Sequence, residues 1–272
     1  MTPTQQEHCS CPNLEFLSIS GSNKYTAIAL AELVGSCKRL RALHLDGVVM
    51  RDGVKRDALR ICLVETGAWE RIEELSIRRC SPESLRASMA SPLLPLLRHP
   101  VEDPGSMAAY ISLRKLDATA YGSDIHSKPL AFMPIALQIM SPNLEELLLD
   151  GVGGEKGFQL TGPKIDPRGR DAGWPKLRVC QLSAVKTESN TGVHAGATYV
   201  TDEWLDVLLG SSELLKELHV AGCHKLTPNM LRILRTKQIV SLDVSGMNLT
   251  LNFDLVPRSN PFSCVYRRCT GW

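Results

Sequence analysis

Residues 215–227 read LKELHVAGCHKLT and contain one complete unit of a pattern that recurs along the chain. Aliphatic residues occupy the first, fourth and sixth positions of the unit, at Leu215, Leu218 and Val220. Alternation of apolar and polar residues within the unit predicts a short strand with one buried face. Gly222 then permits the turn that leaves the strand. The stretch therefore predicts a strand followed directly by a turn.

The same Leu-x-x-Leu-x-Leu pattern occurs eight times, with substitutions by other small or aliphatic residues. Its residues are Leu14-Leu17-Ile19, Leu40-Leu43-Leu45, Ile72-Leu75-Ile77, Leu113-Leu116-Ala118, Leu144-Leu147-Leu149, Leu177-Cys180-Leu182, Leu215-Leu218-Val220 and Ile239-Leu242-Val244. One short strand cannot bury its apolar face alone, so neighbouring units must stack side by side. Four units end in the same glycine turn, at Gly47, Gly151, Gly222 and Gly246.

Helix signals separate the strands. Thr201 followed by Asp202 and Glu203 is typical of an N-cap with acids in the first turn, where the helix dipole favours them. Ser81-Pro82 and Thr227-Pro228 are each typical of an N-cap followed by proline at the first helical position. Together with apolar spacing, these signals predict helices over roughly 25–35, 55–65, 83–97, 130–140, 201–210 and 228–235.

Two units also carry a cysteine in register, Ile72-Leu75-Ile77-Cys80 and Leu215-Leu218-Val220-Cys223. In this respect the chain resembles leucine-rich-repeat proteins of the ribonuclease-inhibitor-like class, most closely the cysteine-containing repeats of F-box proteins. The resemblance covers about residues 11–250. It implies an α/β leucine-rich-repeat solenoid, a horseshoe with about eight parallel strands on its concave face and helices on its convex face. Residues 1–10 are then a flexible N-terminus, and 251–272 a C-terminal cap or irregular tail.

The composition excludes several classes of protein. The formal net charge is +2, so the chain as a whole has no strong attraction to nucleic acid or membranes. No apolar run reaches the roughly 18–20 residues of a membrane span, and Met1 to Ser10 do not resemble a signal peptide. We therefore expect a cytoplasmic or nuclear protein. Its nine cysteines are then expected to be free thiols.

No motif predicts an enzyme, a metal site or a cofactor. The glycines of 151–157 follow a strand, but Pro163 and Pro167 prevent the helix that a phosphate-binding loop must open. No Cys-x-x-Cys pair is present, although zinc sites usually need such a spacing. An enzyme carried on the loops would need catalytic roles for histidines such as His126 or His194. We expect no catalytic residue, no metal and no cofactor.

Side chains that alternate with the motif leucines should point onto the concave face, which is the predicted partner-binding surface. The candidate residues are His44, Asp46, Glu74, Arg78, Lys115, Asp117, Glu146, Leu148, Asp150, Gln181, Glu217, His219 and Asp243. Seven are acidic and two are basic, which predicts that the face binds a basic protein segment and repels nucleic acid. Glu146 and Asp150 in particular are predicted to be exposed. The alternative is that these charges serve only solubility.

Three long inserts, 120–129, 151–173 and 184–200, each follow a strand directly. They should emerge on one edge of the solenoid in three successive units. Insertions on one face often mark a binding face. The alternative interpretation is disordered padding, because 151–173 is rich in glycine and proline.

These observations predict a protein–protein interaction module. The resemblance implies substrate recognition for an F-box-type ubiquitin ligase, with the ligase chemistry on other subunits. The first repeat begins within about a dozen residues of Met1, so we expect this chain to lack the F-box and to reach cullin-RING subunits only through a longer form. The alternative is a free-standing regulatory scaffold or inhibitor unconnected with ubiquitin.

Overall fold

The structure is a computed structural model, and it describes only part of the chain. The described residues are 11–21, 27–47, 67–76, 78, 112–119, 141–151, 173–183, 185–186, 194–195 and 200–247.

Eight short parallel strands form one sheet, in the order β1-β2-β3-β4-β5-β6-β9-β10. Their bounds are β1 Phe16–Ser18, β2 Ala42–His44, β3 Glu74–Ser76, β4 Lys115–Asp117, β5 Glu146–Leu148, β6 Val179–Gln181, β9 Glu217–His219 and β10 Ser241–Asp243. Each predicted unit supplies one strand, and consecutive units pair in register. The predicted eight-unit α/β leucine-rich-repeat solenoid is therefore confirmed.

The middle residue of every strand faces the core. The register aligns Leu17, Leu43, Leu75, Leu116, Leu147, Cys180, Leu218 and Leu242 in one row. The six inner members of the row are buried, whereas the first and last, which have a neighbouring strand on one side only within the described residues, are partly buried. The first leucine of the motif, just before the strand, is buried in the same way at Leu40, Leu144 and Leu177.

Glycine is required at the turn that follows the strand. Gly47, Gly151, Gly222 and Gly246 have φ angles of 69°, 71°, 73° and 71°, in the left-handed region that other residues rarely adopt. The amide of Gly47 also donates to the carbonyl of Arg78 in the next unit, at 2.7 Å. The predicted glycine turns are thus present, and they also extend the hydrogen-bonded stack beyond the strands.

Helices lie between some of the strands, namely α1 Ala27–Ser36, α2 Ala68–Arg71, α3 Asp202–Leu209 and α4 Met230–Leu234. Leu30, Val34 and Leu205 bring α1 and α3 into the core that the strands share. The predicted helices at 25–35 and 201–210 are confirmed, and so is the cap, because the Thr201 hydroxyl accepts from the amide of Trp204 at 3.2 Å. The short helix α2 was not predicted. The helices predicted over 55–65, 83–97 and 130–140, with the Ser81-Pro82 cap, lie outside the described residues.

The predicted start of the last helix is corrected. Helix α4 begins at Met230, although Thr227 caps the turn before it, since its hydroxyl accepts from the amide of Asn229 at 3.2 Å. The amides of Met230 and Leu231 donate three residues back, to Thr227 and Pro228, each at 3.1 Å. Hydrogen bonds of that span form a 3₁₀-type turn, so the chain tightens before it becomes α-helical.

The insert at 184–200 contains an antiparallel pair of short strands, β7 Val185–Lys186 and β8 His194–Ala195. His194, which an enzyme hypothesis would have used, is therefore paired with Lys186 in this hairpin. Residues 1–10, 120–129, 152–172 and 251–272 lie outside the described ranges, and so does His126. None of the described helices is long and apolar enough to cross a membrane.

Candidate partner-binding face

The parallel register arranges the predicted site residues in two rows on the side of the sheet away from the core. One row is Phe16, Ala42, Glu74, Lys115, Glu146, Val179, Glu217 and Ser241. The other is Ser18, His44, Ser76, Asp117, Leu148, Gln181, His219 and Asp243. We call this surface the sheet face. Asp46, Arg78 and Asp150 lie just beyond the strand ends, where they extend it.

Lys115 lies between two glutamates of the first row. Its Nζ is 3.3 Å from Glu74 Oε1 and 3.5 Å from Glu146 Oε2. Partial burial works to lower the pKa of Lys115, but the two carboxylates outweigh it and hold that pKa above its ordinary value. His44 Nε2 lies 3.1 Å from the same Glu74 oxygen. Lys115 and His44 thus both contact Glu74, and Lys115 also contacts Glu146.

Arg78 lies between two aspartates in the same way. Its Nη2 is 2.9 Å from Asp46 Oδ2, and its Nε is 3.5 Å from Asp117 Oδ2. The Ser76 hydroxyl also donates to Asp46 Oδ1 at 2.6 Å. Partial burial works to raise the pKa of Asp46, but the hydrogen bonds from Ser76 and Arg78 and the charge of Arg78 bring it below 3.8. Asp46 therefore links its own unit to the next one.

This arrangement predicts a pH-dependent contribution of Asp46 to stability. Because the folded pKa is lowered, the contribution is present above the ordinary pKa and is lost as the pH falls through the folded value. Asp46→Asn should lower the free energy of unfolding by about 1–2 kcal/mol at neutral pH. The difference from the wild type should shrink as the pH falls below about 4. Urea denaturation at several pH values measures this difference in the free energy of unfolding. The exposed Glu32→Gln variant is the control. A difference that does not change with pH would contradict the ion pair.

Two predicted surface acids are not exposed, and here the sequence interpretation is wrong. Asp117 is only 8% exposed, and its Oδ1 accepts from the amide of Thr119 at 3.0 Å. Asp150 is half-buried, and its Oδ1 accepts from the amide of Ser183 in the next unit at 2.7 Å. Burial raises the pKa of Asp150 although the bond from Ser183 opposes the rise. For Asp150, alternation within one unit cannot reveal this, because the partner amide of Ser183 belongs to the following unit.

The remaining site residues lie on the last four strands, β5, β6, β9 and β10, which we call the C-terminal face. Glu217 is exposed and has no ion pair within the described part of the chain. Leu148, Gln181 and His219 are neighbours in one row and are half-buried. The structure thus divides the charged predicted residues into two groups: those from Asp46 to Glu146 form ion pairs, whereas Asp150, Glu217 and Asp243, nearer the C-terminus, form none with a described residue.

Phe16 and Val179 also lie on the sheet face, beside the thirteen predicted residues. Phe16 is 52% exposed, and its ring meets that of His44 edge-on with centroids 4.8 Å apart. Val179 is half-buried between Glu146 and Glu217 in the first row. Both occupy the same outward positions as the predicted residues, although they were not among those selected.

Three of the described cysteines are part of the core. Cys37, Cys180 and Cys223 are free thiols and are fully buried. Burial raises the pKa of Cys223 to about 12, and Cys223 Sγ lies 3.4 Å from the carbonyl oxygen of Leu182. Such thiols are not activated as nucleophiles. No three His, Cys, Asp or Glu side chains within the described ranges are placed to hold a metal ion.

Comparisons with known proteins give similarity to solved structures only. No protein-family model and no curated protein sequence matches the chain. It is similar to internalin C2 of Listeria monocytogenes at 15% identity and a TM-score of 0.47, over 92% of this chain and 79% of that one. It is also similar to a Leptospira interrogans LRR protein at 16% identity and a TM-score of 0.37, over 89% and 49%.

A third similar structure is the crystal structure of the Rad7 and Elc1 complex in yeast. The identity is 13% and the TM-score 0.36, over 94% of this chain and 75% of that one. At such identities the repeat architecture of this chain is established by its own strand order and register.

Proposed function

We propose that this chain is a protein–protein interaction module and that its C-terminal face binds a basic segment of a partner protein. The observation that carries the proposal is the uneven neutralisation of the sheet face. Arg78 and Lys115 each lie between two acids of the first strands, whereas Glu217 is exposed with no ion pair among the described residues. Unneutralised carboxylates attract a cationic segment and repel phosphates.

The spacing of the face suits an extended segment that crosses the strands. Glu146 and Glu217 belong to the same row with Val179 between them, so their backbones are two strand spacings apart, roughly 10 Å. Leu148 and Val179 supply apolar surface between the two carboxylates. Since Glu146 already pairs with Lys115 at 3.5 Å, a segment that places one cationic side chain at Glu217 beside a small apolar one complements this surface.

The cellular role that we infer is substrate recognition for an F-box-type ubiquitin ligase. It is supported by the cysteine-containing unit around Cys223, where the buried thiol follows the left-handed Gly222. In this role the chain contributes binding, and the ligase chemistry belongs to other subunits. A free-standing scaffold or inhibitor is the second candidate, because the same face serves either.

Charge reversal at Glu217 tests the binding face. Glu217→Lys should weaken binding of the partner by about tenfold, or about 1.4 kcal/mol, and should reduce its salt dependence. Stability should change little because Glu217 is exposed. The matched control is Glu32→Lys, which makes the same charge change on the exposed side of α1. Equal partner recovery with both variants would contradict the proposed face.

Affinity purification followed by mass spectrometry supplies the partner and tests the cellular role. The bait is this chain, its Glu217→Lys variant, and the longest product of its gene. Cullin-ligase subunits recovered with the long product only would support the ligase role. Their absence from both preparations would contradict that role and favour the free-standing scaffold.

A further inference from the structure

A second line of charges runs along the edge where the strands begin. The residues that immediately precede the eight strands form this line, which we call the pre-strand row. They are Glu15, Arg41, Glu73, Arg114, Glu145, Arg178, Lys216 and Val240. Backbone hydrogen bonds join each member to the next, for example Arg114 N to Glu73 O at 2.7 Å and Lys216 N to Arg178 O at 2.9 Å. Their side chains are therefore neighbours across the whole stack.

The charges of the pre-strand row alternate over its first six members. Arg41 Nη1 lies 3.4 Å from Glu73 Oε1, and Arg114 Nε lies 4.0 Å from Glu73 Oε2. Arg114 Nη1 lies 3.7 Å from Glu145 Oε1. These exposed ion pairs are individually weak, but opposite charges on adjacent strands are favourable and like charges are unfavourable. The row thus has a regular electrostatic pattern.

The alternation fails at one step. In the pre-strand row Arg178 is followed by Lys216. Two cations therefore precede adjacent strands, whose backbones are about 4.8 Å apart. Both side chains are exposed, and neither forms an ion pair with a described residue. The nearby Glu217 lies on the sheet face, and the charge of Glu213 acts on Lys237. Glu145, the neighbour of Arg178 on its other side, pairs with Arg114 at 3.7 Å, so Arg178 and Lys216 lack the close ion pairs that the row forms from Arg41 to Glu145.

Exposed aliphatic side chains accompany the two cations. Val240, the next member of the row, is 56% exposed, and Leu214, two residues before Lys216, is 49% exposed. With the edge-strand Phe16, they are the large hydrophobic residues that stand out as exposed in the described structure. An uncompensated pair of cations beside exposed apolar surface is suited to a ligand that is both anionic and aliphatic.

We propose that Arg178, Lys216, Val240 and Leu214 form a docking site for an acidic segment of a protein partner that carries an aliphatic residue beside its carboxylates. The two cations receive carboxylates, and the aliphatic residue covers Val240 or Leu214. This site requires a negatively charged partner segment, whereas the C-terminal face requires a positively charged one. A result that contradicts one proposal therefore does not contradict the other.

Lys216→Glu is the decisive substitution because it completes the alternation of the pre-strand row. The melting temperature should stay the same or rise by up to about 2 °C, since an unfavourable pair becomes a favourable exposed one. Binding of a fluorescein-labelled Glu-Glu-Leu-Glu-Glu peptide, followed by fluorescence anisotropy at low salt, should weaken by about tenfold. Opposite effects on stability and binding are not expected for a charge that serves folding alone.

Two controls make the result specific. Lys38→Glu makes the same charge change at an exposed position before β2, and it should change peptide affinity less than about twofold. Glu217→Lys removes an acid from the sheet face, and it should leave the acidic peptide bound at least as tightly as in the wild type. Absence of peptide binding to the wild type would overturn the proposal, and so would equal losses for Lys216→Glu and Lys38→Glu.

Discussion

Replacing Leu147 by alanine is expected to lower the free energy of unfolding by about 2–5 kcal/mol. Leu147 is the middle residue of β5 and is 0% exposed. It pairs in register with Leu116 on one side and Cys180 on the other. Truncation removes buried methyl groups and leaves a cavity between two strands that can close only by shifting the stack. Urea denaturation followed by circular dichroism measures the loss.

Leu148→Ala is the matched control, because it makes the same chemical change one residue later in the same strand. Leu148 is half-buried on the sheet face, so its truncation should cost less than about 1 kcal/mol. A larger effect at Leu148 than at Leu147 would mean that the strand presents its other side to the core, since a shift of one residue exchanges the two faces.

Replacing Trp174 by alanine is expected to lower the free energy of unfolding by about 3–5 kcal/mol. Trp174 is one of the largest fully buried side chains, and it lies in the turn that precedes β6. Its amide donates to the Ser211 hydroxyl at 3.0 Å, and its carbonyl accepts from Leu177 at 3.1 Å. The neighbouring Gly173 lies so close to Ser211 that a β-carbon there would clash. The turn is therefore packed tightly against the following unit.

The equivalent positions of other units hold much smaller side chains. Cys37, Ser141 and Ser212 each accept a hydrogen bond from the leucine three residues later, as Trp174 does, and all are buried. The indole of Trp174 thus fills volume that the other turns do not have. Alanine would leave that volume empty.

Trp174→Phe separates loss of volume from loss of the indole N–H. The indole nitrogen is buried without a hydrogen-bond partner in the part of the chain that the structure describes. Phenylalanine keeps most of the ring volume and removes that polar atom, so it should retain more than half of the stability that alanine loses. Thermal denaturation of both variants checks the ranking, and a Trp174→Ala protein that melts like the wild type would show that the side chain is not part of the core.

The electrostatics of the sheet face show why net charge alone is a poor guide to a binding site. Seven acids and two bases predicted an acidic surface. In the structure Arg78 and Lys115 each lie between two of those acids, and Asp150 binds a backbone amide. The carboxylates nearer the C-terminus are then the ones with charge left for a partner.

Local pattern was sufficient to predict much of the fold. The eight strands, the inward row through Leu147 and the glycine turns follow from residues close in the chain, because alternation and left-handed φ angles are local properties. The Thr201 cap was predictable for the same reason, since its bond reaches only three residues ahead. Sequence therefore determined which residues form strands and which side of each strand faces the core.

Only the tertiary structure decided which charged groups are neutralised. Arg78 reaches Asp46 and Asp117, and Asp150 reaches Ser183, across distances in sequence that no local pattern encodes. The start of α4 likewise depended on a tight turn that the Thr227-Pro228 signal did not reveal. The alternating charges before the strands can be read from the sequence, but only the stacking of the units makes Arg178 and Lys216 neighbours. Contacts between units depend on how the units pack, and spacings of 24 to 41 residues with long inserts leave that undetermined until the chain is folded.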